Sequence, residues 1–141
     1  MSKMHLTIRI IVVLVLFFFI WLCNPKVACQ RKLHFTLPDS AKMEKHSYVF
    51  LDNRFYAKIS FDSTDYDKIK RGLNNNFRKL NMAKDIIITN FSDEATWWDM
   101  EGNEIEMAYR AYKSGIQIKS IPLYAFITQN TQGQYFLYLV I

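Results

Sequence analysis

An uncharged apolar run, Ile10 to Cys23, constrains this chain more than any other feature. It follows a basic start carrying Lys3 and Arg9, and it gives way to turn-forming Asn24-Pro25 and the small residues Val27-Ala28-Cys29. Basic flank, apolar stretch and short small-residue segment are the layout of an export signal. Fourteen uncharged residues make a helix of about 21 Å, short of a hydrocarbon core of roughly 30 Å. Counting back to Met4 and letting Arg9 snorkel brings the span close to sufficient. Three fates follow. Lipidation of Cys29 leads, because Val27-Ala28-Cys29 fits the end of a lipobox, although Lys26 occupies a place that wants an aliphatic residue. A retained N-terminal anchor and cleavage after Cys29 with release both stay open.

The chain therefore divides into a signal peptide or membrane anchor over 1–29, a basic tether over 30–36, and a single domain over 37–141. The expected location is the cell envelope, membrane-anchored and facing the periplasm or exterior, with secretion as the alternative. The remaining 112 or so residues suit one domain with one core. For the Arg31-Lys32 pair of the tether, a solvated linker is the first reading, and contact with anionic lipid head groups is the second.

The formal charge of +5 hints at nucleic acid, but Lys3, Arg9 and Lys26 lie in the leader, which has no acids. Without them 15 basic residues face 13 acidic ones, and that balance gives no electrostatic reason for a nucleic-acid partner. Both cysteines, Cys23 and Cys29, lie in the same leader. The domain must then be held by its core, without disulfides or thiolate chemistry.

Along the domain, Tyr48 to Leu51 and Phe55 to Phe61 flank Asp52-Asn53-Arg54 as the arms of a hairpin. The second arm alternates, with Phe55, Ala57, Ile59 and Phe61 on one face and Arg54, Tyr56, Lys58 and Ser60 on the other. This predicts a half-buried antiparallel strand. Asp62-Ser63-Thr64 offers N-cap oxygens, with a capping-box-like Thr64/Asp67 pair, for a helix whose Tyr66, Ile69 and Leu73 share a stripe. Gly72 and Asn74 to Asn76 should end it. Ile86 to Ile88 reads as a short buried strand or a core segment. Glu104 to Tyr112 fits strand or helix, and strand is favoured. Ile121 to Thr128 and Gln134 to Ile141 form a hairpin across Gln129 to Gly133, with Gly133 available for a positive φ. Both arms are apolar on both faces, so they should lie centrally or be covered on both sides.

Sites of chemistry are sparse. His34 and His46 have no cysteine or helix-spaced histidine partner, so no metal site is expected. No phosphate loop or nucleophile elbow occurs, and no cofactor or catalytic residue is assigned. Asp93, Glu94, Asp99, Glu101, Glu104 and Glu106 form an acidic stretch. It reads first as a solvated loop facing the basic Lys68 to Lys84 segment; calcium ligands and paired catalytic carboxylates are the sharper alternatives. Trp97-Trp98 is the most conspicuous pair. Adjacent tryptophans in a strand face opposite ways, so one can anchor in the core while its neighbour reaches a partner. Core duty for both is the more conservative reading. Trp97, Trp98 and Asp99 are the candidate interaction surface.

The series Pro38-Asp39-Ser40-Ala41, the Arg54 to Phe61 strand running into the Asp62 to Leu73 helix, Trp97-Trp98-Asp99, and the terminal Tyr138-Leu139-Val140 resembles a loose group of small uncharacterised bacterial lipoproteins and exported proteins. The resemblance implies a strand at Glu104 to Tyr112 and a C-terminal antiparallel meander. It carries no activity with it.

The expected fold is α+β: an antiparallel sheet of four to six strands with one main helix packed on its Phe55/Ile59 face, preceded by an N-terminal hydrophobic signal or anchor helix. The expected function is a non-enzymatic, envelope-exposed, membrane-anchored protein that binds another envelope protein or a wall component through an aromatic surface, with an immunity- or inhibitor-type protein as a specific version. The alternative is an exported hydrolase using carboxylates in the 93–106 region.

Overall fold

The period-two pattern of Phe55, Ala57, Ile59 and Phe61 sets the plan of the domain. In the computed structural model, which describes residues 3–51, 53–85, 87–100, 102–112 and 122–141, these four side chains line one buried face of a sheet. The described strands are β1 (Lys42–Val49), β2 (Arg54–Phe61), β3 (Arg78–Lys79), β4 (Glu104–Tyr112), β5 (Pro122–Gln129) and β6 (Tyr135–Val140). All their pairings are antiparallel, in the order β1-β2-β6-β5-β4-β3. The fold is thus α+β with a six-stranded antiparallel sheet. Glu104–Tyr112 is a strand, and β4, β5 and β6 form a meander.

Residues in register build each face row by row. Ala57, Leu139, Ala125 and Tyr109 lie across β2, β6, β5 and β4, with Ile59, Leu137 and Ile127 in the next row. All are buried in one cluster with Ile69 and Leu73 of the helix α3 (Tyr66–Asn76), as the helical stripe predicts. Gly72 is required on this helix by close approach: a Cβ there would lie 2.5 Å from the Phe35 ring. The helix begins differently from expectation. A 3₁₀ turn over Ser63–Asp65 precedes it, and neither Asp62 nor Asp65 caps with its side chain. The Asp65 carboxylate instead accepts from Ser40 Oγ at 2.6 Å, which ties the Pro38–Ala41 turn to the helix start.

Two β-bulges redirect side chains. In β4 the register shifts between Ile105 and Met107, so Ile105 joins one face and Met107, two residues on, joins the other. In β1 the shift falls between Met43 and Lys45, where the Glu44 carboxylate accepts from Ser60 Oγ. The β5–β6 loop forms as its sequence predicts. Gly133 has φ 79°, and Asn130 Oδ1 accepts from the Gln132 and Gln134 amides at 3.0 and 2.9 Å.

Two expectations for this side of the sheet hold only in part. Strand β2 is buried on both faces, since Tyr56 and Ser60 are covered as fully as Phe55 and Ile59. A long loop lies over the side that alternation alone assigns to water. Ile86 lies outside the described residues, and Ile87 and Ile88 belong to that loop, not to a strand. Ile87 packs partly against the sheet, while Ile88 remains 51% exposed. The strand edge next to them is already taken by β3 paired with β4.

The N-terminal region contains α1 (Lys3–Leu22) and α2 (Pro25–Leu33). Asn24-Pro25, read as the end of a leader, starts a helix: Asn24 Oδ1 accepts from the Lys26 amide at 2.9 Å and Pro25 takes the first turn. Cys29 and Leu33, one turn apart, are buried in the same cluster as Ile69 and Leu73. Lys26 Nζ donates to the carbonyls of Ala41 at 2.7 Å and Pro38 at 3.2 Å. The Leu37 amide donates to Gln30 Oε1 at 2.8 Å. The stretch read as a tether, 30–36, therefore runs through the last turn of a second helix docked on the sheet.

Candidate functional site

The site is built on the sheet face opposite α3. Tyr56, Tyr124, Phe126, Phe136, Tyr138 and Val140 carpet that face, and Phe91, Ala95, Trp98 and Met100 from the 80–103 loop press onto it. Tight backbone turns shape the loop: the Ala95 amide donates to the Phe91 carbonyl at 2.9 Å, and the Trp98 amide to the Ala95 carbonyl at 2.8 Å. Trp98 is 8% exposed and stands edge-on to Tyr138 and Phe91, at centroid distances of 5.1 and 5.3 Å. Its indole N–H donates to the Thr89 carbonyl at 2.8 Å, so the one polar atom of the ring is satisfied on burial.

Trp97 is only partly buried, and its N–H donates to Ser47 Oγ of β1 at 2.6 Å. The two tryptophans thus divide their duties, Trp98 in the core and Trp97 at its rim. They do so from a turn, not from a strand. Asp99 follows directly. Its carboxylate accepts from Lys58 Nζ at 2.7 and 2.9 Å and from Tyr138 Oη at 2.6 Å. The Lys58 side chain is 16% exposed and that of Asp99 is 59% exposed. Lys58 Nζ also lies 4.8 Å from the centre of the Phe136 ring. Lys58 and Tyr138 carry no sequence signal as site residues. Lys58 occupies a polar slot of β2, and Tyr138 looks like one more aromatic of β6.

Electrostatics follow from this arrangement. Partial burial pushes the Asp99 carboxyl up, but the hydrogen bonds from Lys58 and Tyr138, with the lysine charge, outweigh it and hold the group below its ordinary range. Burial raises the Tyr138 phenol strongly, and the adjacent Asp99 carboxylate adds to the rise. Over the neutral range Asp99 is ionised and Tyr138 is a donor. A carboxyl lowered on folding stabilises the fold fully above its unfolded value, and that contribution is lost as pH falls through the folded value. Wild type should therefore lose stability through the acid range below the ordinary 3.8, and Asp99→Asn should flatten that limb. Urea midpoints measured against pH check this, and equal slopes in the two proteins would contradict the pairing.

Two cavities flank Asp99. One, of about 600 Å³, is lined by Thr89, Asn90, Ser92, Trp98, Asp99 and Asn103 among others. The other, of about 260 Å³, is lined by Glu44, Lys45, Lys58, Trp97, Asp99 and Phe136 among others. The two share Asp99, and each takes one tryptophan of the pair into its lining, Trp98 in the larger and Trp97 in the smaller. Elsewhere in the acidic stretch, Asp93, Glu94, Glu104 and Glu106 are exposed, and Glu101 lies outside the described residues. The expected match with the Lys68 to Lys84 segment does not form for Asp99. Lys68, Lys70 and Arg71 sit on α3, across the sheet from this loop, whereas Lys58 lies beneath it. Among the described residues no group of three His, Cys, Asp or Glu could hold a metal ion.

Cys29 stands in the middle of α2, and burial pushes its thiol up to about 12. A lipid on this sulfur would require Pro25–Leu33 to leave its place on the sheet. Cys23 is exposed.

No protein family, curated protein or solved structure matches this chain.

Proposed function

We propose that this chain is a non-enzymatic, membrane-anchored binding protein of the cell envelope that engages another protein through the Trp97/Asp99 surface. An immunity or inhibitor role is its specific version. The observation that carries the reading is the construction of that surface. Trp97 is held at the rim by Ser47, next to a Lys58–Asp99–Tyr138 cluster, and two cavities share Asp99 in their lining. An aromatic fixed in one orientation beside a locked ion pair suits a binding hot spot, because little side-chain entropy is lost when a partner arrives.

The anchor in this reading is α1. Its large apolar side chains from Leu6 to Trp21 are 48–73% exposed, which in water would be a heavy penalty. Among the described residues no single helix is long and apolar enough to cross a membrane. The bent pair His5–Trp21 and Pro25–Leu33, 61° apart, passes by length and composition only when α2 is counted, and α2 is committed to the domain, so in this reading α1 enters the bilayer alone as a short segment. The hydrolase alternative would need a carboxyl able to exchange protons near neutral pH. Asp99, the one carboxylate among the described residues lining the larger cavity, is instead held ionised by two donors.

Trp97→Ala tests the reading. The variant should keep the circular dichroism and thermal midpoint of wild type within a few degrees, and lose a partner captured by wild type from detergent-solubilised envelope membranes. Unchanged capture by a folded variant removes Trp97 from the interface.

A further inference from the structure

The whole net charge of the chain lies in its first 38 residues. Lys3, Arg9, Lys26, Arg31 and Lys32 occur there with no acid, leaving 13 basic and 13 acidic residues in the rest. Helix α2 holds the last three of these bases in a fixed order. Its inner face is committed to the domain, with Cys29 and Leu33 buried and Lys26 turned towards the Pro38 and Ala41 carbonyls. Its outer face presents Arg31 and His34, both exposed. His34 terminates the helix in the left-handed region, with φ 60°.

Between this outer face and the end of α1 lies a cavity of about 330 Å³, lined by Trp21, Val27, Gln30, Arg31, His34 and Phe35 among others. Trp21 closes the apolar helix at the place where tryptophans prefer to sit, the boundary between hydrocarbon and head groups. Arg31, which also lines the cavity, has the planar donor fork that suits a phosphodiester. A cavity lined by both an interfacial aromatic and an arginine, at the root of an exposed apolar helix, matches one chemistry.

We propose that this cavity binds the phosphate of an acidic phospholipid head group, so that α2 acts as a rigid collar setting the domain's orientation on the bilayer. The proposal rests on α1 being the membrane segment. It replaces a swinging tether with a helix whose inner face is core and whose outer face is lipid-binding.

The test uses the full chain reconstituted in phosphatidylcholine vesicles with and without phosphatidylglycerol, followed by detergent extraction and mass spectrometry of the lipid retained. Wild type should enrich phosphatidylglycerol over phosphatidylcholine, and Arg31→Gln should reduce that enrichment about fivefold, the worth of one base at a membrane surface. Circular dichroism confirms that the exposed substitution leaves the fold intact. Carbonate extraction of the same vesicles separates the two ideas. Wild type and variant that both stay embedded, with no enrichment in either, overturn the head-group site while the anchor stands. A wild type stripped by carbonate overturns both. Enrichment abolished by inorganic phosphate, and not by chloride at equal ionic strength, would assign the cavity to a soluble anion and overturn the lipid assignment.

Discussion

Replacing Trp98 with alanine should destabilise the domain by about 3–5 kcal/mol, the usual range for a buried tryptophan. The ring is the centrepiece of the second core: it touches Tyr56, Phe91, Trp97 and Tyr138, with centroid separations from 5.1 to 6.3 Å. Its removal leaves a cavity that the surrounding rings cannot close, and it leaves the Thr89 carbonyl without its indole donor. A single domain has about 5–15 kcal/mol in all, so this loss takes a large share. Urea unfolding followed by near-ultraviolet circular dichroism measures it. The 80–103 loop should also become cleavable by trypsin near Lys84 at lower urea than the wild-type loop. A change under about 1 kcal/mol would mean that the loop does not depend on Trp98, and the preorganisation of Trp97 and Asp99 would lose its basis.

Ile69→Ala should cost about 2–5 kcal/mol, through the opposite core. Ile69 is fully buried between α3 and the sheet, in one cluster with Phe55, Ile59, Leu33 and Cys29. The two predictions differ in what else they change. Loss of Ile69 should leave the proposed interaction surface around Trp97 and Asp99 intact wherever the protein remains folded, since that surface lies on the other face. Loss of Trp98 should impair binding even below the unfolding transition. Denaturant midpoints together with capture assays on both variants check this contrast. An Ile69→Ala protein as stable as wild type would remove α3 from the core.

The sheet was legible wherever a short pattern repeats. The alternation through Phe61, the Asn130 to Gly133 turn and the all-apolar final hairpin each reflect local geometry that one residue type satisfies best. The Ile69/Leu73 stripe identified the helix and its face for the same reason. The start of α3 is not legible to the residue, because Asp62-Ser63-Thr64 offers capping oxygens just ahead of the observed N-cap position at Asp65. The competing bond from Ser40 to Asp65 comes from 25 residues away. Helix α2 was invisible for a related reason. Cys29 and Leu33 give only two buried positions in nine residues, and the export-signal pattern claims the same letters.

The site was half legible. Trp97, Trp98 and Asp99 stand out by composition and adjacency. Lys58 and Tyr138 meet Asp99 only through contacts 41 and 39 residues distant in sequence, which no local rule reaches. The reading of one β2 face as solvent had the same origin. Its cover is a loop without secondary structure, and amphipathic patterning reports only covers that are themselves periodic.

The place of β6 has a consequence for the order of events in folding. It is the last described strand in the chain, yet it lies between β2 and β5, and Phe55 and Ile141 exchange both backbone hydrogen bonds beyond its end. Until β6 arrives, the chain consists of a β1–β2 hairpin and a β4–β5 pair with nothing to join them, each with an open edge. The earlier parts cannot ratchet into place one by one. Folding waits on a pairing between segments some eighty residues apart, which makes it slow to begin and abrupt once begun. During that interval the unpaired, aromatic-rich edges are the chain's most vulnerable surfaces.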